Sequence, residues 1–291
     1  MFIGVADPSE RKSIQKMFPE LIHPTPYPDV NEVLNLLLAS VQKILGNQFI
    51  GMYLYGSLSS GDFNPKTSDI DFLVVTFEPL SQQTISELER MHEDIWNSGL
   101  KWASKLDGSY ISKSDIRRHD PSNAPCPTVN EGEFYVAHHG SDWIIQRHII
   151  REHGVVLAGP NPRELIDPVS PDDLRSAVLG ILNEWWFPML DNPEWLQKHE
   201  CNYHGYAVMT MCRALHALEH GTIASKSVVM DWARRELDSR WHPLFEKAIA
   251  SQYGNRVEIL NETLDFIRFT MKNIGDSHFR EKSPKRIGGT K

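Results

Sequence analysis

Two aspartates separated by a single residue stand at the start of an apolar run. Asp69 and Asp71 lead into the run 72–75, Phe-Leu-Val-Val. Because strand side chains alternate between faces, both carboxylates would share one face, with Cα atoms roughly 6.5 Å apart. Adjacent carboxylates repel each other and lose hydration unless a cation or a proton neutralises them. Mg²⁺ suits such a pair because it takes oxygen ligands, usually one or two carboxylates together with substrate phosphates. The pair therefore predicts a metal site.

A turn of small residues precedes the aspartates and could bind phosphate. The apolar segment 49–55 ends at Gly56 and Ser57, where backbone N–H groups and a hydroxyl can approach a triphosphate closely. Ten residues, 58–67, separate this turn from Ser68 and the aspartates. A lone Asp-x-Asp is more often a solvated strand end. The turn and the acids together favour a nucleotide site between two strands.

The elements around this segment predict a mixed α/β domain. Apolar residues recur at helical spacing over 28–46 and again over 81–104. The segment 105–112 predicts a third strand with Asp107 near its start, which taken alone could be an ordinary strand-end acid. Residues 119–141 are rich in Pro, Asn, Gly and His and predict a loop over the site.

The second half of the chain predicts a helical bundle. Helical patterns fall near 171–190, 203–220, 225–238, 241–253 and 256–274. The fold class predicted is α+β, a mixed sheet with helices followed by an all-α domain. The predicted divisions are an N-terminal extension at 1–28, an α/β domain at 29–162, a helical domain at 163–280 and a flexible tail at 281–291.

Composition narrows the classes of partner and compartment. A chain of 291 residues with 41% hydrophobic content can bury the cores of two domains. Its formal charge of −8 argues against a nucleic-acid binder and suits a cationic partner. Three cysteines without C-x-x-C spacing favour a reducing cytoplasm. We expect no membrane span, because no apolar run approaches the ~20 residues required.

The turn and the aspartates resemble a known signature. A Gly-Ser turn followed by Ser-Asp-Ile-Asp at 68–71 resembles the nucleotidyltransferase superfamily that includes DNA polymerase β. Over about residues 30–270 the chain is similar to the aminoglycoside 3''/9 adenylyltransferases, which confer resistance to streptomycin and spectinomycin. The similar phrases outside the signature are REHGVVLAGP at 151–160, ELIDPVSPDDL at 164–174, CRALHALEHGTIASKSVVMDWA at 212–233 and WHPLFEKAIASQYG at 241–254.

The resemblance implies a set of site residues. Ser57 and Ser68, with the Gly56 backbone, would contact ATP phosphates, and Asp142, Arg213 and Lys226 would contribute to ATP binding. Asp69 and Asp71 would hold Mg²⁺, with Asp107 as the third carboxylate. Trp185 and Glu194 would contact the acceptor. The family's catalytic base is a glutamate, so Asp107 is shorter by one methylene. From the residues alone, Lys226 could be a solvated lysine, Arg213 a structural ion-pair partner, and Trp185 and Glu194 ordinary core or surface residues.

The resemblance also implies an activity. We expect Mg²⁺-dependent transfer of AMP from ATP to a hydroxyl of a cationic aminoglycoside, with release of pyrophosphate. Two alternatives remain open: the same chemistry on a protein or metabolite acceptor, and a nucleotide-binding module without catalysis. We further expect a monomer or a weak dimer.

Overall fold

The chain forms two compact units, Met1–Pro168 and Val169–Lys291. The structure is a computed structural model, and it describes residues 22–130, 132–198, 201–253 and 257–280. The elements of the first unit are α1 (Pro28–Leu45), β1 (Phe49–Leu54), α2 (Gly56–Ser60), β2 (Ile70–Thr76), α3 (Gln82–Trp96), β3 (Leu106–Ser112), α4 (Lys113–Arg117), β4 (Cys126–Asn130), β5 (Glu133–Ala137), α5 (Asp142–His153), β6 (Val155–Ala158) and α6 (Pro162–Leu165).

One six-stranded sheet organises the first unit, in the order β5-β4-β3-β2-β1-β6. Strands β2 and β3 are parallel, and all the other neighbouring pairs are antiparallel. Each face of the sheet carries its own core, because strand side chains alternate between the two faces. Helices α1 and α3 contribute to the core that contains Ile70 and Phe72. Helix α5 contributes Trp143 and Ile150 to the core that contains Leu73 and Val75.

The prediction of a loop over residues 119–141 is wrong. This segment contains the antiparallel hairpin of β4 and β5, which extends the sheet beyond β3. Val129 is buried on one face, whereas Tyr135 on the outer strand is 42% exposed. An edge hairpin with polar residues and a proline lacks the apolar alternation that marks a buried strand. The hairpin is stabilised by the pairing of β4 with β3, which the local sequence does not indicate.

Part of the predicted N-terminal extension, from residue 22 onward, is described, and it is hydrogen-bonded to α1. The Asn35 side chain exchanges hydrogen bonds of 2.9 and 2.8 Å with the backbone of Ile22. Asn31 bonds the backbone of Thr25 in the same way, at 3.1 and 2.8 Å. Residues 1–21, which hold the rest of that predicted extension, lie outside the described residues, as does the tail predicted for 281–291.

The second unit is helical, as predicted. Its elements are α7 (Pro171–Ile181), a π-helical turn (Leu182–Trp186), a 3-10 turn (Phe187–Leu190), α8 (Glu194–Lys198), α9 (Cys201–His220), α10 (Lys226–Glu236), α11 (His242–Gln252) and α12 (Leu260–Arg280). A capping box starts α7, because Ser170 and Asp173 bond each other's backbone. The helix α9 packs against α7, α10, α11 and α12 and so forms the centre of the bundle.

The predicted fold class, a mixed α/β unit followed by a helical unit, is confirmed. The units divide after Pro168, whereas the predicted boundary lay after residue 162. The difference arises because Leu165 and Ile166 are buried in a core of the first unit. Among the helices described, none is long and apolar enough to span a bilayer.

Candidate active site

Asp71 and Asp107 lie side by side at one end of the sheet. The parallel register of β2 and β3 makes them direct Cα partners, and neighbouring strands are ~4.8 Å apart. Both acids share the face of Leu73 and Ile111, opposite the face that buries Ile70. Each carboxylate is only partly buried. The sheet therefore presents two oxygen-bearing groups in one direction, which is the donor chemistry that Mg²⁺ prefers.

Asp69, the remaining predicted metal ligand, lies just before β2. Its Oδ1 atom is 3.1 Å from the Lys105 ammonium, in an ion pair without a well-oriented hydrogen bond. The side chains of Asp69 and Lys105 are 41% and 45% exposed, although the Oδ1 atom that faces the lysine is itself buried. Within the described ranges no three His, Cys, Asp or Glu side chains form a ready-made metal cage. A cation at Asp69 would have to displace the lysine.

The predicted phosphate turn follows β1 directly. Gly56 begins the single turn α2 with a φ of 61°, a conformation that favours glycine. A Cβ atom at this position would overlap the carboxylate of Asp71. The turn thus lies against one of the acids, and Ser57 follows within it, half-buried. Ser68 belongs to the adjoining loop, where its hydroxyl accepts a 3.0 Å hydrogen bond from the Asn64 amide.

A buried phenol lies within the electrostatic range of the two acids and of Asp142. Tyr55, the last residue before the turn, is 5% exposed. Burial raises its pKa well above the ordinary value, and the charges of Asp71, Asp107 and Asp142 raise it further. Tyr55 therefore stays neutral and cannot serve as a base. Asp142, like the two strand acids, therefore lies close enough to Tyr55 for its charge to act on the phenol.

A buried arginine fixes the helix that carries Asp142. Asp142 is the first residue of α5, and Arg147 on the next turn is 2% exposed. The Arg147 guanidinium donates to the backbone carbonyls of Ile116, Trp143 and Asp115 at 3.1, 3.2 and 2.7 Å. Backbone carbonyls satisfy the buried charge and tie α5 to α4. The position of Asp142 at the site thus depends on hydrogen bonds made by a neighbouring residue.

Four predicted site residues belong to the second unit. Arg213 is half-buried in α9, and Lys226 is the exposed first residue of α10. Trp185, in the π-helical turn, is 47% exposed. Glu194 is the exposed first residue of α8. Their parts in ATP and acceptor binding stay predictions, as do the roles of the residues in the first unit.

Aromatic residues hold Trp185 in place. Its ring meets that of Trp195 edge-on, with centroids 5.3 Å apart, and Tyr203 lies 4.8 Å from Trp195. Tyr203 was missed in the sequence, because its spacing from Trp185 crosses several helical breaks. The result is an exposed indole on a rigid aromatic base, flanked in sequence by Glu184.

Sequence comparison decides the family. Residues 164–273 match the family described as aminoglycoside adenylyltransferase, C-terminal domain, and residues 36–106 match the nucleotidyltransferase domain. The chain belongs to the aminoglycoside adenylyltransferase family. The predicted family is therefore confirmed, and the first unit carries the nucleotidyltransferase domain of an enzyme.

Relatives of two kinds support this membership. An aminoglycoside (3'') (9) adenylyltransferase of Shigella flexneri is 26% identical over 264 residues, which cover 82% of this chain and 94% of the relative. A spectinomycin 9-adenylyltransferase of Campylobacter jejuni is 24% identical, with 83% and 94% covered. The fold matches the crystal structure of an Enterococcus spectinomycin adenyltransferase solved with ATP and spectinomycin. The TM-score of that match is 0.65, at 22% identity, and it covers 83% of this chain and 98% of that one.

Proposed function

We propose that this adenylyltransferase moves AMP from ATP to a hydroxyl of an aminoglycoside of the streptomycin or spectinomycin type, in a Mg²⁺-dependent reaction. The observation that carries the proposal is the pairing of Asp71 with Asp107 on one face, against the glycine turn at Gly56. The relatives named for 3''(9) and 9 activity support the choice of acceptor. Both substrates are thereby proposed: ATP as the donor, and a cationic molecule with hydroxyl groups as the acceptor.

The donor set fits a hard divalent cation. Asp71 and Asp107 offer carboxylate oxygens on the same face, and Asp69 would join them once Mg²⁺ displaces Lys105 from its carboxylate. Two carboxylates completed by phosphate oxygens are the usual environment of Mg²⁺, so a cage of three or more protein ligands is not required. Bound Mg²⁺ would neutralise phosphate charge and hold the triphosphate for in-line displacement.

The turn after β1 has the chemistry to hold the triphosphate. Gly56 lets the backbone approach closely, and Ser57 adds a hydroxyl donor. Ser68 keeps a hydrogen atom to donate, because its oxygen accepts the bond from Asn64. We retain Asp142, Arg213 and Lys226 as ATP-binding residues on the strength of the family resemblance.

Asp107 has the role of base in this proposal. The acceptor hydroxyl oxygen attacks the α-phosphorus, the bond from that phosphorus to the β-bridging oxygen breaks, and pyrophosphate leaves. Asp107 takes the proton of the hydroxyl, directly or through one water. Its shorter side chain requires the hydroxyl to come closer to β3, since proton transfer needs heavy atoms ~2.6–3.2 Å apart.

Trp185 and Glu194 are proposed to contact the acceptor. The exposed indole of Trp185 offers a face to guanidinium or ammonium groups, and Glu194 offers a compensating charge. Both features suit a cationic sugar better than a neutral metabolite.

A pyrophosphate-release assay with separate acceptors tests the proposal. Purified protein is incubated with ATP and Mg²⁺, and with streptomycin, spectinomycin or neither. Acceptor-dependent release with at least one drug is expected, together with a drug–AMP product identified by mass spectrometry. If ATP binds but neither drug stimulates pyrophosphate release, the proposal is wrong. The protein would then act on a different acceptor or bind nucleotide without catalysis.

A further inference from the structure

The β4–β5 hairpin carries polar residues to the same end and face of the sheet as the two acids. The antiparallel register pairs Ser109 with Thr128, whose hydroxyls lie 3.0 Å apart, and Thr128 with Tyr135. Partners in register share a face. Asp107 lies two residues before Ser109 on β3 and so shares its face. Tyr135 therefore projects from the face that carries Asp107. The next pair outward, Asn130 with Glu133, shares that face.

Tyr135 lies within electrostatic reach of the proposed base. The register places Tyr135 one strand beyond Thr128, and Asp107 is near enough for its charge to add to the effect of burial, which raises the pKa of the Tyr135 phenol. The Tyr135 side chain is nevertheless 42% exposed, so it is available to a ligand. An ordinary phenol has a pKa of about 10, so the Tyr135 hydroxyl is protonated at neutral pH and can donate a hydrogen bond.

The order of strands separates two sides of the acid pair. Gly56 follows β1 on one side of Asp71, whereas β4 and β5 lie on the other side of Asp107. In-line displacement requires the attacking oxygen and the leaving pyrophosphate on opposite sides of the α-phosphorus. If the turn holds the triphosphate, the acceptor approaches over the hairpin.

We propose that Tyr135 positions the acceptor by donating a hydrogen bond from its hydroxyl, and that Glu133 adds negative charge favouring an ammonium- or guanidinium-bearing acceptor. This inference rests on the proposed adenylyl transfer and names the face of the first unit that receives the drug. Tyr135 is a positioning residue, because its hydroxyl orients the acceptor while Asp107 takes the proton. The face offers a phenol, an amide and a carboxylate, which together suit a polyhydroxylated cation.

Steady-state kinetics of the full-length enzyme test this role. The variants are Tyr135→Phe, which removes one hydroxyl, and Glu133→Gln, which removes one charge. Tyr253→Phe serves as the matched control, because Tyr253 is 61% exposed in the second unit and has no proposed role. Pyrophosphate release is measured against streptomycin, spectinomycin and ATP concentrations in turn, and thermal melts confirm folding.

Tyr135→Phe is expected to raise KM for the accepted drug at least fivefold, with KM for ATP and kcat changed less than twofold. Glu133→Gln should raise the same KM, and the increase should shrink in 0.5 M salt. If the wild type is active and Tyr135→Phe has the same KM for the drug, the role of Tyr135 is wrong and adenylyl transfer is unaffected. A wild type that modifies no aminoglycoside in the panel overturns both.

Discussion

Asp71 on β2 and Asp107 on β3 are direct register partners and project from the same face of the sheet. This arrangement depends on parallel pairing between two strands that are separated by the 29 residues 77–105. Parallel strands require a crossover, and α3 supplies it. The two carboxylates are thus assembled by the fold, and their shared face gives the site its chemistry.

Replacing Gly56 should impair activity more than stability. Gly56→Ala places a methyl group at a φ of 61° and against the Asp71 carboxylate. We expect at least a tenfold loss of kcat and a loss of about 1–2 kcal/mol in the free energy of unfolding. Gly61→Ala is the control, because Gly61 has a φ of 79° and open space around it. Gly61→Ala should lose a similar free energy of unfolding but keep its activity. Urea melts measure the stability of both variants, and pyrophosphate assays measure their activity. Equal activity of the two variants would contradict the proposed packing of the turn.

Removing Lys105 should lower the Mg²⁺ requirement. The ammonium pairs with Asp69 at 3.1 Å and competes with any cation there. A pair between partly exposed side chains contributes about 0.2–1 kcal/mol, so Lys105→Met should reduce the half-saturating Mg²⁺ concentration about 1.4- to 5-fold. Lys101→Met, which breaks an exposed pair with Asp29, should leave it unchanged. A Mg²⁺ titration of activity measures both, and an unchanged or higher requirement in Lys105→Met would count against Asp69 as a ligand.

The length of the side chain at 107 can be tested directly. Asp107→Asn removes the proposed proton acceptor and should lower kcat by about 10²- to 10⁴-fold. Asp107→Glu supplies the glutamate that the family resemblance places at this position, and its kcat should stay within about tenfold of the wild type. Single-turnover measurements with saturating ATP and drug compare the chemical step. Activity of Asp107→Asn at the wild-type level would exclude Asp107 as the base.

Acid should destabilise the first unit through His92. Burial lowers the pKa of His92 from 6.5 to about 3, and its ring nitrogen lies 2.7 Å from the Tyr110 hydroxyl. Between these two values the unfolded chain binds a proton that the folded chain does not, so the free energy of unfolding falls as pH falls. The full effect is up to about 1.4 kcal/mol per pH unit.

The variant His92→Gln isolates this contribution. Its unfolding free energy should depend on pH less steeply than that of the wild type between pH 6 and pH 4. Above pH 7 the two slopes should coincide, because His92 is then neutral in both states. Denaturant melts at each pH give the comparison, and parallel slopes throughout the acid range would refute the buried neutral histidine.

Much of the first unit was predictable from local pattern. The apolar run after Asp71 predicts β2, the segment around Asp107 predicts β3, and Gly56 with Ser57 predicts the turn between strands. These signals are local, because alternation, small residues and strand ends are all read over a few positions. The helical second unit was predictable for the same reason.

The missed features depend on contacts between distant segments. The ion pair of Lys105 with Asp69 requires the parallel register of β2 and β3, which no local pattern encodes. Arg147 sits on a helix whose sequence gives no sign that backbone carbonyls will bury its charge. The strand of Tyr135 was read as loop, because an edge strand is defined by its partner as much as by its residues.

The most direct test measures transfer of AMP from α-labelled ATP to streptomycin or spectinomycin by the wild type and by Asp71→Asn. Labelled drug is expected from the wild type only when Mg²⁺ is present. Transfer by Asp71→Asn should be at least a hundredfold slower, and its thermal melt should match that of the wild type within a few degrees. Transfer by Asp71→Asn at the wild-type rate, or by the wild type in excess chelator, would exclude a role for Asp71 and Mg²⁺ in the reaction.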